Sequence, residues 1–421
     1  MPFLSQFLTV QDGMVSVADP AAEAMFEAWN AGSQAEIWRR HDGVWSRVYQ
    51  APRVPSLVMG AHAPYYTPLA VGFRHMVPYK DRDGVEALYA TAGTVSLAHP
   101  DYARMLFMSL DGENWTPVET PAAMGRETRT LGVHNGRLYV GAGTATAGAL
   151  AMGMPVPGAV WCSSKPSDPG SWKQVLYFPD LAPHNTGVVS LASANGWLYI
   201  GTENVNGFEV WRSKRSNPTC NADWKRLVKD GAGDRYNAWA GTMRTFRTNV
   251  YVGSMSVPGF TGSLAMKAFD IIRVKPDDTW QLLVGDREPT IPVTEGAVRR
   301  PLTGLPSGFG MPTNLYCWQM EVYDGYLYVG SMDMSSMLRA GVEAGMELPD
   351  MGMPPTVLQF ILQLAGFDMW KTPTGLLWLP VTLTGMGDYT NYGARTIRVH
   401  DGKLYIGTAN PFKGFQVWEG D

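Results

Sequence analysis

One phrase of apolar and small residues recurs along the chain: Leu138-Tyr-Val-Gly-Ala-Gly, Leu198-Tyr-Ile-Gly-Thr-Glu, Val250-Tyr-Val-Gly-Ser-Met, Leu327-Tyr-Val-Gly-Ser-Met and Leu404-Tyr-Ile-Gly-Thr-Ala. Leu88-Tyr-Ala-Thr-Ala-Gly is a worn copy, and Met14-Val-Ser-Val-Ala-Asp a more worn one. Short runs rich in β-branched and aromatic residues predict strands. Asn135-Gly136, Asn195-Gly196, Asp324-Gly325 and Asp401-Gly402 stand just before four of the copies, and Asp12-Gly13 before the first. Such pairs supply the positive φ of a tight hairpin, so each phrase is predicted to be the second strand, B, of an A–B hairpin.

Two more signals follow each copy in fixed order. A strand C is predicted at Ile37-Trp38, Leu106-Phe107, Val160-Trp161, Val210-Trp211, Ile271-Ile272, Met369-Trp370 and Val417-Trp418. A strand D is predicted where Trp precedes Val or Leu by three: Trp45/Val48, Trp115/Val118, Trp172/Val175, Trp224/Leu227, Trp280/Leu283 and Trp378/Val381. These two slots hold most of the 15 Trp, so the aromatic content reads as repeat core rather than a ligand cage. Four-stranded antiparallel units repeated along a chain are the signature of an all-β propeller. Seven blades are expected in one domain, over residues 6–48, 73–118, 128–175, 186–228, 238–284, 314–381 and 391–421. The last stops at Trp418-Glu-Gly-Asp421 with no fourth strand. That blade is either three-stranded or closed by Phe3–Val10.

Composition narrows the function. Lys plus Arg number 34 against 38 Asp plus Glu, a net charge of -4, which gives no electrostatic footprint for nucleic acid or an anionic membrane. No apolar run reaches membrane-spanning length. The start, Met1-Pro-Phe-Leu-Ser-Gln-Phe-Leu, lacks a basic region and predicts no secretory leader. Cys162, Cys220 and Cys317 lie far apart, against a disulfide framework or zinc site. The expectation is a cytoplasmic protein without cofactor or bound metal.

Long connections are predicted on one face of the propeller, where binding is usually carried. They are the B–C segments Pro20–Gln34, Ala145–Gly158, Val257–Lys267 and Met334–Gly366, and the D–A segments Gln50–Gly72 and Gly285–Tyr316. The insert Met334–Gly366 contains an apolar, helix-compatible stretch, 356–365, that reads as a Met-rich lid, a packing helix or a dimer contact.

Aligning the A strands on their turns places Arg74, Arg129, Val189, Gly241, Trp318 and Arg395 at equivalent opening positions. Arg74, Arg129 and Arg395 could clamp a carboxylate, phosphate or phenolate, or each could satisfy a neighbouring carboxylate or carbonyl. Three residues deeper, Arg244, Glu321 and Arg398 alternate in sign like an ion ladder. Asn185, Asn237, Asn314 and Asn391 recur four residues before the opening positions and suggest turns. Thr94, Thr144, Asn204, Ser256, Asp333 and Asn410 recur at the B-strand exits and suggest loop capping; Glu203 and Asp333 stand out by their charge.

No Gly-x-Ser-x-Gly elbow, phosphate loop, His-Glu-x-x-His or dinucleotide fingerprint occurs. Of the seven His, His134 and His400 fall in A–B turns and are expected to be exposed, His75 lies on an inner strand, and His62 and His184 lie on loops. That set does not supply the four axial His of carotenoid-cleaving propellers. Ser109-Leu-Asp111-Gly-Glu-Asn-Trp115 resembles the Asp-box of sialidases and related propellers, with Gly one place early. The resemblance implies a C–D turn remote from any active site, and the sialidase arginine triad does not transfer. The Leu-Tyr-Val-Gly, Val-Trp-Arg-Ser and Trp succession is similar to the propeller domain of cyanobacterial enzymes that alkylate resorcinols. Their additional N-terminal domain has no counterpart in these repeats.

The reading that follows is a cytoplasmic enzyme whose axial pocket handles a mostly apolar, anionic or phenolic small molecule without a metal. Arg74, Arg129 and Arg395 are its anion-binding candidates, His75 and Tyr392 its acid–base candidates, and Trp318, Glu203 and Asp333 further lining groups. A non-catalytic scaffold holding a protein partner, or a second copy, through the same loops is the alternative.

Overall fold

The computed structural model describes residues 8–11, 14–17, 19–60, 63–92, 97–98, 102, 105–125, 127–144, 156–262, 266–348 and 353–420. The Asp12-Gly13 turn, His62, Thr94 and most of Ala145–Gly158 lie outside them. The structure is predominantly β, with nearly all strand pairs antiparallel. It divides into two compact units: Met1–Leu198 with Ser213–Trp224, and Tyr199–Arg212 with Lys225–Asp421. The fourth repeat contributes segments to both.

In the first unit, the second and third repeats form four-stranded sheets in the expected order. The second uses Phe73–Lys80, Glu86–Ala92, Leu106–Ser109 and Thr116–Pro117; the third uses Thr128–His134, Arg137–Thr144, Val156–Ser163 and Lys173–Tyr177. The first repeat departs from expectation. Its A–B hairpin, Leu8–Gln11 with Met14–Val17, exists, but its third strand is Val58–Met59, which runs parallel to Met14–Val17. Glu36–His41 and Val44–Gln50 form a separate two-stranded ribbon. Between them, the expected loop Pro20–Gln34 is largely a helix, α1 (Pro20–Gly32). The Asp19 carboxylate accepts the Ala22 amide at 2.8 Å, proline opens the first turn, and Phe26 is buried. Those are a helix-start signature and an apolar anchor, which here outcompete sheet continuation.

In the second unit, the fifth repeat uses Trp239–Phe246, Asn249–Met255, Ile271–Val274 and Trp280–Val284, and the sixth uses Asn314–Tyr323, Tyr326–Asp333, Met369–Thr372 and Leu379–Thr382. The seventh has three strands among the described residues, Gly393–His400, Lys403–Ala409 and Val417–Gly420, while residues 3–7 of the segment expected to close it lie outside them. Successive repeats are bridged where strand B of one meets strand A of the next: Glu203 with Trp239, Met255 with Tyr316, and Met332 with Gly393. The sixth repeat's insert holds two helices, α2 (Ser335–Glu343) and α3 (Pro355–Gln363), so the apolar stretch is helical as expected. Ile361 is buried, whereas Val357 and Phe360 are exposed.

The repeated Trp positions mostly supply core, with Trp115, Trp161, Trp172, Trp211, Trp224 and Trp378 buried. Trp38, Trp45, Trp280 and Trp418 are exposed, three of the four belonging to the first and last repeats. The glycine of the recurring phrase is required by close approach. A Cβ on Gly330 would lie 2.5 Å from the Ala394 Cβ and 3.1 Å from Ile397 Cδ1, on the next repeat's A strand. Gly330→Ala is therefore expected to destabilise by about 1–3 kcal/mol through overpacking, read as a lower urea midpoint.

Candidate functional site

The aligned opening positions share a backbone device. In strand A of the second repeat, Phe73 pairs with Ala92 and His75 with Thr91, leaving Arg74 as an extra residue. Arg129 is extra in the third repeat, Trp318 in the sixth and Arg395 in the seventh. In the fifth repeat, Ala240 and Gly241 occupy the same irregularity. A bulge frees its side chain from the pleat alternation and re-aims it, which is why bulges gather next to binding sites. The sequence alignment located these positions; the bulge explains why they do not behave as ordinary strand residues.

The arginines differ in their surroundings. Arg129 is buried, with its Nε 3.8 Å from Glu127 Oε2 and both side chains almost fully enclosed. It is therefore half of a buried ion pair, the alternative in which the arginine satisfies a neighbouring carboxylate. Arg74 and His75 are half-buried on strand A of the second repeat, where the His75 amide donates to Thr91 Oγ1 at 3.2 Å.

Arg395 has no carboxylate partner among the described residues. Its guanidinium carbon lies 4.9 Å over the Trp318 ring. Trp318 is 5.6 Å from Tyr392 at an interplanar 51°, and 6.1 Å from Tyr316 at 79°. Gly393 leaves room for the indole, since a Cβ there would overlap its six-membered ring. Burial lowers the Arg395 pKa, with Tyr392 opposing; a guanidinium nevertheless stays charged at neutral pH. Burial raises Tyr392, and pushes Tyr316 up to about 12, so both phenols are hydrogen-bond donors rather than bases. Tyr392, Trp318 and Arg395 are thus brought together in the second unit.

The ion ladder is present on the A strands of the fifth, sixth and seventh repeats. Arg244 bonds Glu321, and Arg398 Nη1 lies 3.7 Å from Glu321 Oε2. Desolvation, then repulsion from Arg398, lowers Arg244 to about 10. Two guanidinium groups on one carboxylate leave this surface with excess positive charge.

Glu203 and Asp333 are both fully buried. Asp333 Oδ1 accepts the Ser335 amide at 2.8 Å, as Asn204 accepts Asn206 and Asn410 accepts Lys413, so loop capping at the B exits holds. Burial raises Asp333 to about 6; burial, then the Asp333 charge, raises Asp368 to about 8. His134 corrects its expectation of exposure. It is buried, its Nε2 donates to the Ser216 carbonyl at 2.7 Å, and Nδ1 lies 2.8 Å from Ser193 Oγ; burial, against the Ser216 bond, lowers its pKa. His400 is exposed as expected.

The recurrent Asn does more than turn the chain. Asn237, Asn314 and Asn391 each donate to a glycine carbonyl six residues back, Gly231, Gly308 and Gly385, at 2.9–3.0 Å. Each also donates to the acid or amide opening its own strand C: Asp270 at 2.6 Å, Asp368 at 2.7 Å and Gln416 at 2.8 Å. Ala232, Phe309 and Met386, which follow those glycines, hold φ of 59–61°. Non-glycine residues are costly there, and the Asn latch fixes the conformation. A Gly-x-Gly-x-x-x-Asn pattern at 231–237, 308–314 and 385–391 is the sequence signal of this latch, of which the Asn alone shows only a part.

The Asp-box-like turn folds as its resemblance implies: Asp111 Oδ1 accepts the Glu113 and Asn114 amides at 2.8 and 2.7 Å. Among the described residues, no group of three or more His, Cys, Asp or Glu converges as metal ligands, and no helix is long and apolar enough to cross a membrane.

No family model and no curated protein matches the chain. Among solved structures, it is similar to a Bacteroides uniformis protein assigned provisionally as a 6-phosphogluconolactonase, at 10% identity and TM-score 0.43, over 86% of this chain and 83% of that one. Trypanosoma rangeli sialidase with sialic acid is matched at 11% identity and TM-score 0.40, over 91% and 58%. A Bacillus subtilis family 43 arabinoxylan arabinofuranohydrolase is matched at 11% identity and TM-score 0.34, over 66% and 57%. Likenesses this remote carry no argument about activity, which rests on the chain's own residues.

Proposed function

We propose that this chain is a β-propeller enzyme that binds a mostly apolar, anionic or phenolic small molecule at the cluster of Tyr316, Trp318, Tyr392 and Arg395. The carrying observation is Arg395: a desolvated guanidinium stacked on an indole, with no carboxylate to satisfy it among the described residues. Such a group binds an incoming carboxylate, phosphate or phenolate by charge-assisted hydrogen bonds, while the aromatic faces take the apolar body. Tyr392, held protonated, supplies a proton or hydrogen bond to an oxygen of the ligand. Arg74 occupies the equivalent bulge of its own repeat, His75 follows it, and both are proposed as ligand-facing groups of the first unit. The proposed chemistry draws on side chains, in a cytoplasmic setting. Exposed Val357 and Phe360 on α3 support the second reading, a surface that holds a protein partner.

Quenching of tryptophan fluorescence by a series of aryl and alkyl carboxylates and phenolates tests the site. Arg395→Met is expected to weaken the best binder by about tenfold to a hundredfold, the worth of a hydrogen bond to a charged group. Equal affinity in the variant would retire the cluster as the anion site.

A further inference from the structure

Strand C of the fifth, sixth and seventh repeats opens on one segment: Lys267-Ala-Phe-Asp270, Ala365-Gly-Phe-Asp368 and Lys413-Gly-Phe-Gln416. In the fifth repeat, two buried carboxylates meet two buried cations. Lys267 Nζ lies 2.9 Å from Asp270 Oδ1 and 3.7 Å from Asp234 Oδ2, and Arg299 Nη1 lies 2.6 Å from Asp270 Oδ2. In the seventh, the acid is replaced by neutral Gln416, and Lys413 pairs with Asp388 at 3.1 Å. There Asn410 Nδ2 donates to Thr390 Oγ1 at 2.9 Å and to Asn391 Oδ1 at 3.0 Å. Both repeats balance their charge.

The sixth repeat departs at three of these positions. Ala365 stands for the lysine, Met311 for the loop aspartate, and Asp333 for Asn410. Asp333 and Asp368 are 0% and 3% exposed, and no Lys, Arg or His pairs with either among the described residues. Asp333 Oδ2, Asp368 Oδ1 and Asn314 Oδ1 are buried without a hydrogen-bond partner. They converge. Asn314 bonds Asp368 through its Nδ2 and pairs with Asp333 across the hairpin, and the Thr313 and Ser335 hydroxyls face Asp333. A carboxylate in place of the Asn410 amide turns acceptor against acceptor at Asn314 Oδ1, a conflict that a cation between them, or a proton on the carboxyl, resolves.

We propose that Asp333 and Asp368, with Asn314 and Thr313, bind one hard divalent cation of the calcium class. It supplies from solution the two positive charges that Lys267 and Arg299 supply in the preceding repeat. A donor set of oxygens alone, two of them from carboxylates, selects calcium over transition metals that prefer nitrogen and sulfur. The cation fastens the base of the α2–α3 insert, because Asp333 also holds the Ser335 amide at the start of α2.

The test is thermal unfolding of the chelator-stripped full chain with and without CaCl2, paired with calorimetric titration. Calcium at about 1 mM is expected to raise Tm by a few degrees with a stoichiometry of one, and NaCl of matched ionic strength is expected not to. Ala365→Lys, which installs the lysine of the neighbouring repeats, is expected to raise Tm without calcium and to abolish the calcium increment. Asp333→Asn, which recreates the Asn410 arrangement, is expected to abolish it as well. No calcium response in the native chain, or an increment that survives in whichever of the two variants folds, overturns the site.

Discussion

Arg129→Met is expected to destabilise the fold by about 3–5 kcal/mol, because it removes the guanidinium facing buried Glu127 and leaves that charge in a low-dielectric setting. Arg395→Met, at the same bulge position of another repeat, is expected to cost under about 1 kcal/mol, since no carboxylate among the described residues pairs with it. The two variants, unfolded in urea side by side, separate a structural arginine from a ligand-facing one without knowledge of the ligand. Similar losses in both would show that Arg395 has a stabilising role its surroundings do not reveal.

The second large effect belongs to the buried network of the fifth repeat. Asp270→Asn keeps the shape and the Asn237 contact but leaves Lys267 and Arg299 without their shared anion, at a cost of about 3–5 kcal/mol. Burial opposes ionisation of Asp270, but the Lys267 and Arg299 charges outweigh it and hold the carboxyl well below the usual range. A folded pKa depressed below the unfolded value of about 3.9 gives stabilisation that is present above that value and lost as pH falls through the folded one. Native protein should therefore lose stability more steeply in acid than Asp270→Asn does. Parallel acid slopes in the two would mean that the network's charges are not coupled to folding.

The repeat phrases made the hairpins legible because each level agreed: turn dipeptide, β-branched run, close-packed glycine. Agreement failed in the first repeat, where Ile37-Trp38 looked like any other strand C but the capped helix α1 intervened and Val58–Met59 took a place beside the hairpin. No local pattern encodes such a long-range parallel pairing. The candidate site was legible as positions, not as roles. Arg129 and Arg395 align equally well, and their difference lies in Glu127, two residues from one and with no equivalent beside the other. His134 misled for a similar reason: its turn position suggested water, while Ser193 and Ser216, distant in sequence, enclose it.

The bulge that recurs in strand A has a consequence for how such a chain can change. On either side of it, the strand runs in opposite phase, so the extra residue decides which face the flanking positions show. Loss of that one codon at Trp318 would move the segment carrying Asn314 out of step with the segment carrying Glu321, unfastening the latch on Asp368 while the ion ladder kept its place. Substitution there keeps the phase of the strand, and deletion loses it. Lineages of this fold should therefore hold the length of each bulge more strictly than the residue that stands on it, except where, as at Arg129, that residue answers a buried charge.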